Sequence, residues 1–337
     1  MGGQALKNTY TRRYDAKEYH ALASEVESIM DNVAPQSLFC VIDSYRDKET
    51  FGDLDMLIDS TNLPSNYINR IIEHFHPNEW VKNGNCLSFD YKSFQIDLIV
   101  TPRSEFFTSM QYFAYNDLGN LLGRVAHTMG LKFGHDGLSY NWRVGTYQFR
   151  NEIILTDMID ILLVMGYDPA IWLRGFNTME DIFRFVVSSP FFNKAIYQLN
   201  NRNHAARIRD QKRKTYMEFL KWIETYEETD EQKEYAAWHD LPEREQKWLK
   251  YISDTIPHFQ PLYERVNGEW ERAKRYRERF NGSLVRDWTG ADGIALGDFM
   301  KGFKGDLMFQ EFVERHTKEA VAEYVKNRYN EHLNLTK

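Results

Sequence analysis

The stretch Phe51-Gly52-Asp53-Leu54-Asp55-Met56-Leu57-Ile58 constrains this chain more than any other. Side chains alternate faces along a β-strand, so Asp53 and Asp55 point one way and Leu54, Met56 and Ile58 point the other, into a core. Phe94-Gln95-Ile96-Asp97-Leu98-Ile99-Val100 repeats the design. There Phe94, Ile96, Leu98 and Val100 form the buried face and Asp97 stands on the opposite one. If the two strands are neighbours at a sheet edge, three carboxylates converge. Such an all-oxygen set suits hard divalent cations. Two such ions about 3.5–4 Å apart clamp the attacking and leaving oxygens of a phosphoryl transfer. The pattern therefore predicts two Mg²⁺ ions, or Mn²⁺, on Asp53, Asp55 and Asp97.

Around these strands the periodicity predicts an α+β fold. A polar arm over 1–15 is expected to be poorly ordered. An amphipathic helix follows over 16–32, then a buried strand over 37–42. A helix over 64–75 has Ser60, Thr61 or Asn62 as cap and Pro64 in its first turn. Strands at 80–81 and 86–89 flank a turn at 82–85, and the Asp97 strand ends at Pro102. This order predicts one mixed sheet with helices on one face. Helices are expected at 105–112, 117–129 and 152–165, with Gly130 and Gly166 as C-terminal stops. From 168 onward helical spacing dominates, so a domain boundary is expected near 146–168. The acid-rich stretch 224–245 reads as a solvated face or linker. A mixed-charge helix is expected over 262–280 and one long amphipathic helix over 306–334. The domains expected are an arm and helix (1–36), a mixed-sheet domain with flanking helices (37–103), a helical and strand region (104–150) and a mostly α-helical C-terminal domain (151–337).

The 337 residues allow two to three domains. No stretch approaches the ~20 apolar residues of a membrane span, and Met1-Gly2-Gly3-Gln4 does not open a signal peptide. Cys40 and Cys86 read as free thiols of a reducing compartment, which predicts a cytoplasmic protein without membrane partners. The net charge of −7 argues against a protein that coats nucleic acid indiscriminately. A local cation cluster remains: Arg202, Arg207, Arg209, Lys212, Arg213 and Lys214 stand against the single acid Asp210. With Tyr197, Tyr216 and Trp222 nearby, it reads as a backbone-tracking nucleic-acid surface or as a charged helix face. His127 and His204 read as structural.

Ser44-Tyr45-Arg46, Gly52-Asp53-Leu54-Asp55 and Ile96-Asp97-Leu98 together resemble the signature of the DNA polymerase β (family X) nucleotidyltransferases. The resemblance spans about residues 16–145 and makes the 37–103 domain a nucleotidyltransferase palm, with 104–150 thumb-like. It implies that the Ser44 turn, with Arg46, Lys48 and Gly52, holds a triphosphate. It implies that Asp53 and Asp55 bind both metals and that Asp97 serves the attacking 3′-hydroxyl. Tyr112-Phe113 would lie beside sugar and base, and Asp117, Asn120 and Arg124 on the helix flanking the nascent pair. Asp43 replaces the usual glycine, one residue is missing before Gly52, and Tyr115-Asn116 replaces a small pair. The lyase and helix-hairpin-helix modules of that family have no counterpart. Thr289-Gly290-Ala291-Asp292-Gly293 followed by Lys304 loosely resembles a glycine-rich helix start in CCA-adding RNA nucleotidyltransferases. The expectation is a nucleotidyltransferase that moves a nucleoside monophosphate from a nucleoside triphosphate to a DNA 3′ end. The alternatives are a template-independent RNA or tRNA 3′-end enzyme, or a nucleic-acid-binding protein with a degenerate site.

Overall fold

The computed structural model describes residues 5–144 and 147–335. The chain forms two compact units: one takes the chain up to Asn141 together with Arg150–Ile256, the other takes Trp142–Phe149 and the chain from Pro257 onward. The division therefore falls after Ile256, not at 146–168. Aromatic packing explains why 150–256 stays with the sheet-bearing unit. Trp172 and Phe176 close on the Tyr115 ring at 5.4 and 4.9 Å, and the buried Tyr197 hydroxyl donates to the Leu121 carbonyl.

The first unit opens with β1 (Tyr14–Asp15), α1 (Ala16–Val33), β2 (Phe39–Val41), β3 (Thr50–Phe51) and β4 (Asp53–Asp59). It continues through α2 (Tyr67–Phe75), β5 (Trp80–Asn83), β6 (Cys86–Tyr91) and β7 (Phe94–Thr101). Five strands make one mixed sheet in the order β2-β4-β7-β6-β5, with β4 and β7 parallel and the other pairs antiparallel. An Asp15–Glu18 capping box starts α1, which satisfies two helix-end N–H groups. Its stripe of Tyr19, Leu22, Val26 and Met30 packs with α2 onto Leu54, Met56, Ile58, Phe94, Ile96 and Leu98. The expected alternation is thus realised on both strands.

Several boundaries differ. α2 begins at Tyr67 behind Asn66, so Pro64 lies before the helix. The β5–β6 turn is tighter than expected, because Asn83 already pairs with Cys86. Helices cover both faces: α3 (Phe106–Phe113) sets Phe106 and Met110 against Leu57 and Ile99 on the side away from α1. α4 (Leu118–Thr128) follows as expected, and β8 (Leu131–Gly134) comes after it. β9 (Gly137–Val144) and β10 (Tyr147–Leu155) then form a three-stranded sheet with β8. β10 takes the first residues of the expected 152–165 helix, which starts only when Asp157 caps α5 (Met158–Val164). α6 (Pro169–Arg174), α7 (Met179–Val187), α8 (His204–Gln211), α9 (Lys214–Ile223), α10 (Asp230–Ala237) and α11 (Arg244–Thr255) complete the unit. The acid-rich 224–245 stretch carries α10, whose Gln232 is buried and donates to the Val187 and Ser189 carbonyls.

Among the described residues the second unit is α-helical apart from the strand ends it takes from β9 and β10. α12 (Phe259–Arg279), α13 (Gly282–Thr289), α14 (Gly293–Lys301), α15 (Leu307–Arg315) and α16 (Lys318–Leu335) enclose Phe280, Phe299, Phe303, Phe309, Val313 and Val321. The single helix expected over 306–334 is broken at His316-Thr317, where the Thr317 hydroxyl accepts from the Ala320 N–H. The glycine-rich stretch is a helix junction: left-handed Gly290 ends α13, and Asp292 caps the first N–H of α14. Among the described residues no helix is long and apolar enough to cross a membrane.

The N-terminal arm is ordered, against expectation. Glu79 accepts the backbone N–H groups of Lys7, Asn8 and Thr9 at 3.1, 2.7 and 2.9 Å, and these bonds hold its carboxylate below the usual range. Met1–Gln4, the start of the expected arm, lie outside the described residues. In Glu79→Ala the amides of Lys7, Asn8 and Thr9 are expected to lose protection from hydrogen exchange while those of α1 keep theirs. Unchanged protection at all three would reject this anchoring.

Candidate metal centre

The parallel register sets Asp55 directly opposite Asp97 and Asp53 opposite Gln95. Neighbouring strands are about 4.8 Å apart, so facing side chains on one surface meet. One oxygen from each of Asp53, Asp55 and Asp97 lies within 4.8 Å of the others. β4 and β7 are interior strands, so the acids stand on the open face of the sheet and not on its edge. One step further along that face, Leu57 and Ile99 go under α3. The acids are half-buried where polar surface gives way to apolar cover.

Electrostatics follow from this placement. Burial, then the charges of Asp53 and Asp97, push Asp55 up to about 8. Burial also raises Asp97, with Asp53 adding to it, while hydrogen bonds from Ser88 and Gln95 pull the other way. The Gln95 amide nitrogen donates to both Asp97 oxygens at 2.9 and 3.0 Å. Its own oxygen accepts the Ala5 N–H at 3.0 Å, which sets the amide's orientation from both ends. Three mutually repelling carboxylates held by such supports are a costly arrangement that a divalent cation relieves. The donor set, all oxygen with two atoms per side chain, fits Mg²⁺ or Mn²⁺.

The turn before β4 splits its cations. Lys48 faces the acids: its ammonium lies in the field of Asp53 and Asp55, although burial lowers its pKa. It sits 4.5 Å above the Phe51 ring and donates to the Asn116 side-chain oxygen at 3.2 Å. Phe51 in turn stacks on Tyr19 at 3.7 Å. Arg46, expected to meet phosphate, is committed elsewhere. Its guanidinium donates to Asn177 at 2.6 Å and to the Arg174 carbonyl, and its N–H bonds Phe176. The backbone of the turn is laced to the 174–177 loop instead of being open. Ser44 is half-buried within this turn, Gly52 links β3 to β4, and the Asp43 side chain is exposed.

Tyr115 and Asn116 both adopt left-handed backbone, φ 59° and 62°, which costs about 1–2 kcal/mol per non-glycine residue. The strain is held by the Tyr115 N–H bond to the Asp43 carbonyl, by packing of the Tyr115 ring and by the Lys48–Asn116 contact. Tyr112 and Phe113 are mainly packing residues: Tyr112 lies against Phe133, and Phe113 against His135. Asp117 precedes α4 and forms an ion pair with Arg213. Asn120 has a buried side-chain nitrogen without a hydrogen-bond partner. Arg124 lies further along the helix, in a cavity bordered by Arg202 and Arg244.

The basic cluster is divided. Arg202 is a buried partner of Asp210, 8% and 0% exposed, so it is a structural ion pair and not open surface. Arg209 shares that aspartate at 3.1 Å, and Arg213 belongs to Asp117. Lys214 is solvated near Glu218, Lys212 is exposed, and Arg207 is half-buried beside His204. Gln95, Ser88 and Asn116 escaped the sequence reading. Gln95 alone carried a usable signal, two residues before Asp97 on the same strand face. The chain matches no protein-family model and no curated protein.

In the metal-free protein Asp55 binds its proton more tightly folded than unfolded. The unfolded group titrates near 3.8 and the folded one at about 8. Stability is therefore expected to fall as pH rises through that window. Asp55→Asn is expected to flatten the decline and raise the melting temperature at the alkaline end, as thermal unfolding in EDTA would show. An unaltered decline in the variant rejects this assignment.

Proposed function

We propose that the chain is a metal-dependent nucleotidyltransferase that transfers a nucleoside monophosphate from a nucleoside triphosphate to a DNA 3′-hydroxyl. The carrying observation is the convergence of Asp53, Asp55 and Asp97 within 4.8 Å on two parallel interior strands. Asp53 and Asp55 hold the ions, and Asp97, oriented by Gln95, takes or orients the proton of the attacking hydroxyl. Bound cations would neutralise the triphosphate and acidify that hydroxyl. Lys48 supplies a fixed positive charge beside the acids for a phosphate oxygen. Asn120 supports the reading through its unfilled buried donor, whose isolation costs about 1–3 kcal/mol. The resemblance to family X polymerases points the same way, and the presence of all three carboxylates disfavours a degenerate binding protein.

A primer panel tests this: DNA and RNA primers, with and without template, each triphosphate singly, with Mg²⁺, Mn²⁺ or EDTA. Incorporation onto DNA that vanishes in EDTA is expected. Asp53→Asn and Asp97→Asn are expected to lower it by about 10³-fold or more, equal to roughly 4 kcal/mol of barrier, with circular dichroism unchanged. Extension of RNA alone would move the acceptor assignment. Absence of incorporation on every primer, or a variant that keeps most activity, overturns the reading.

Asn120→Leu separates a ligand role from a packing role. It is expected to stabilise the free protein by about 1 kcal/mol, because the unpaired donor is gone, and to raise the KM for triphosphate. Loss of stability with unchanged KM would make Asn120 a packing residue.

A further inference from the structure

α4 carries a second polar feature away from the aspartates. Asp117, Asn120, Arg124 and His127 recur every three or four residues, so they share one face of the helix. Leu118, Leu121, Leu122 and Val125 make the opposite, buried face. The stripe begins next to Asn116, which holds Lys48 beside the acids. It ends in a cavity of about 500 Å³ bordered by Arg124, His127, Arg202, His239 and Arg244, with no carboxylate among its described lining residues.

The charge there is only partly met. Asp210 answers Arg202, and exposed Asp240 lies 3.3 Å from His239. Arg244 donates to the neutral carbonyl of Thr128 at 3.3 Å. A concave site that presents the guanidinium groups of Arg124 and Arg244, with no carboxylate among its described lining residues, selects an anion, and the guanidinium fork matches phosphate oxygens. α8 carries Arg207, and exposed Lys212 follows it, so cations continue past the cavity along the chain.

We infer that this cavity holds a backbone phosphate of a single-stranded polynucleotide whose end lies at the aspartates. The inference rests on the proposed transferase reading for the position of that end. From Asp117 to Arg124 the helix advances about 10 Å at ~1.5 Å per residue. A strand that runs from the start of the stripe to the cavity has to cross at least that length. The cavity thus grips the strand upstream of its reacting end, with no reader of base identity required.

The test is fluorescence anisotropy with the full chain and labelled single-stranded oligonucleotides, one of DNA and one of RNA, each of about 12 nucleotides so as to exceed that span. It is run without divalent metal or triphosphate over a range of salt. Arg124→Gln and Arg244→Gln are each expected to weaken binding and to reduce the slope of log K against log salt by ~0.7, the value for one phosphate contact on a single strand. Arg124→Lys keeps a charge and is expected to keep the slope, which separates ion contact from misfolding. Lys318→Gln, at the start of α16, removes equal net charge and is expected to leave the slope unchanged. Equal slopes in all variants, equal loss in Lys318→Gln, or no binding by the unmutated chain overturns the inference. Inorganic phosphate that protects the unmutated chain against heat while neither oligonucleotide binds would assign the cavity to a free anion and likewise overturn it. Because no turnover is measured, failure of the aspartate variants to stop transfer leaves this result standing. Unchanged slopes beside normal metal-dependent transfer would overturn the strand grip alone.

Discussion

The pairing of β4 with β7 is the constraint on which the rest of the first unit depends. A parallel register that sets Asp55 opposite Asp97 also sets Leu54 beside Ile96 and Met56 beside Leu98. Sliding one strand by one residue would turn apolar side chains to the open face and acids into the core. Burial on the α1 side, where Leu54, Met56, Phe94 and Ile96 are all but sealed from solvent, therefore enforces the meeting of like charges on the other side. Each of those large side chains contributes about 1.5–3 kcal/mol on burial. Hydrophobic packing is thus strong enough to hold together three carboxylates that repel one another. The arrangement stores unfavourable energy in the metal-free protein and places it where a cation would release it.

Support for the acids comes from distant parts of the chain. Gln95 donates to Asp97 while the Ala5 N–H holds its other end, and Glu79 fastens later residues of the same arm. On the opposite side, Lys48 is steered by Asn116, which occupies a strained turn braced by Tyr115 against Trp172 and Phe176. The loop over 174–177 binds Arg46 and so ties the turn down on the side away from the acids. Residues 158–187, which the sequence assigned to another domain, therefore help to shape the surroundings of Lys48.

What could be read in advance was local and periodic. Alternation along 53–58 and 94–100 revealed the strands, their inner faces and the three acids, because strand geometry makes that pattern two residues long. The helices α1, α4 and α12 showed in the same way. Tertiary choices were not legible. Glu152-Ile153-Ile154-Leu155 reads equally as the start of a helix or as strand, and pairing with β9 decides for strand. The arm looked polar and loose because its anchor, Glu79, lies seventy residues away. Arg46 and Lys48 are near neighbours of the same charge, and only the fold sends one to Asn177 and the other toward Asp55. The basic run over 202–214 looked like one surface, yet Asp210 draws Arg202 into a buried pair. An isolated buried charge would cost several kcal/mol, so the sealed Asp210 keeps Arg202 buried beside it while Arg209 reaches it from the surface.

The same reasoning separates α4 into two kinds of residue. Its apolar face is consumed by packing, and Gly119 lets the helix approach the Tyr112 carbonyl so closely that a Cβ there would lie 2.2 Å from it. That approach fixes the helix against α3 and leaves its polar stripe no freedom to rotate. Asp117 finds a partner in Arg213, whereas Asn120 keeps a buried donor unpaired on the same stripe. Buried polar groups in a settled core are almost always satisfied. A helix locked on one side by a glycine contact and left unsatisfied on the other offers the proposed strand both an unpaired donor and, further along the stripe, the cations of the cavity.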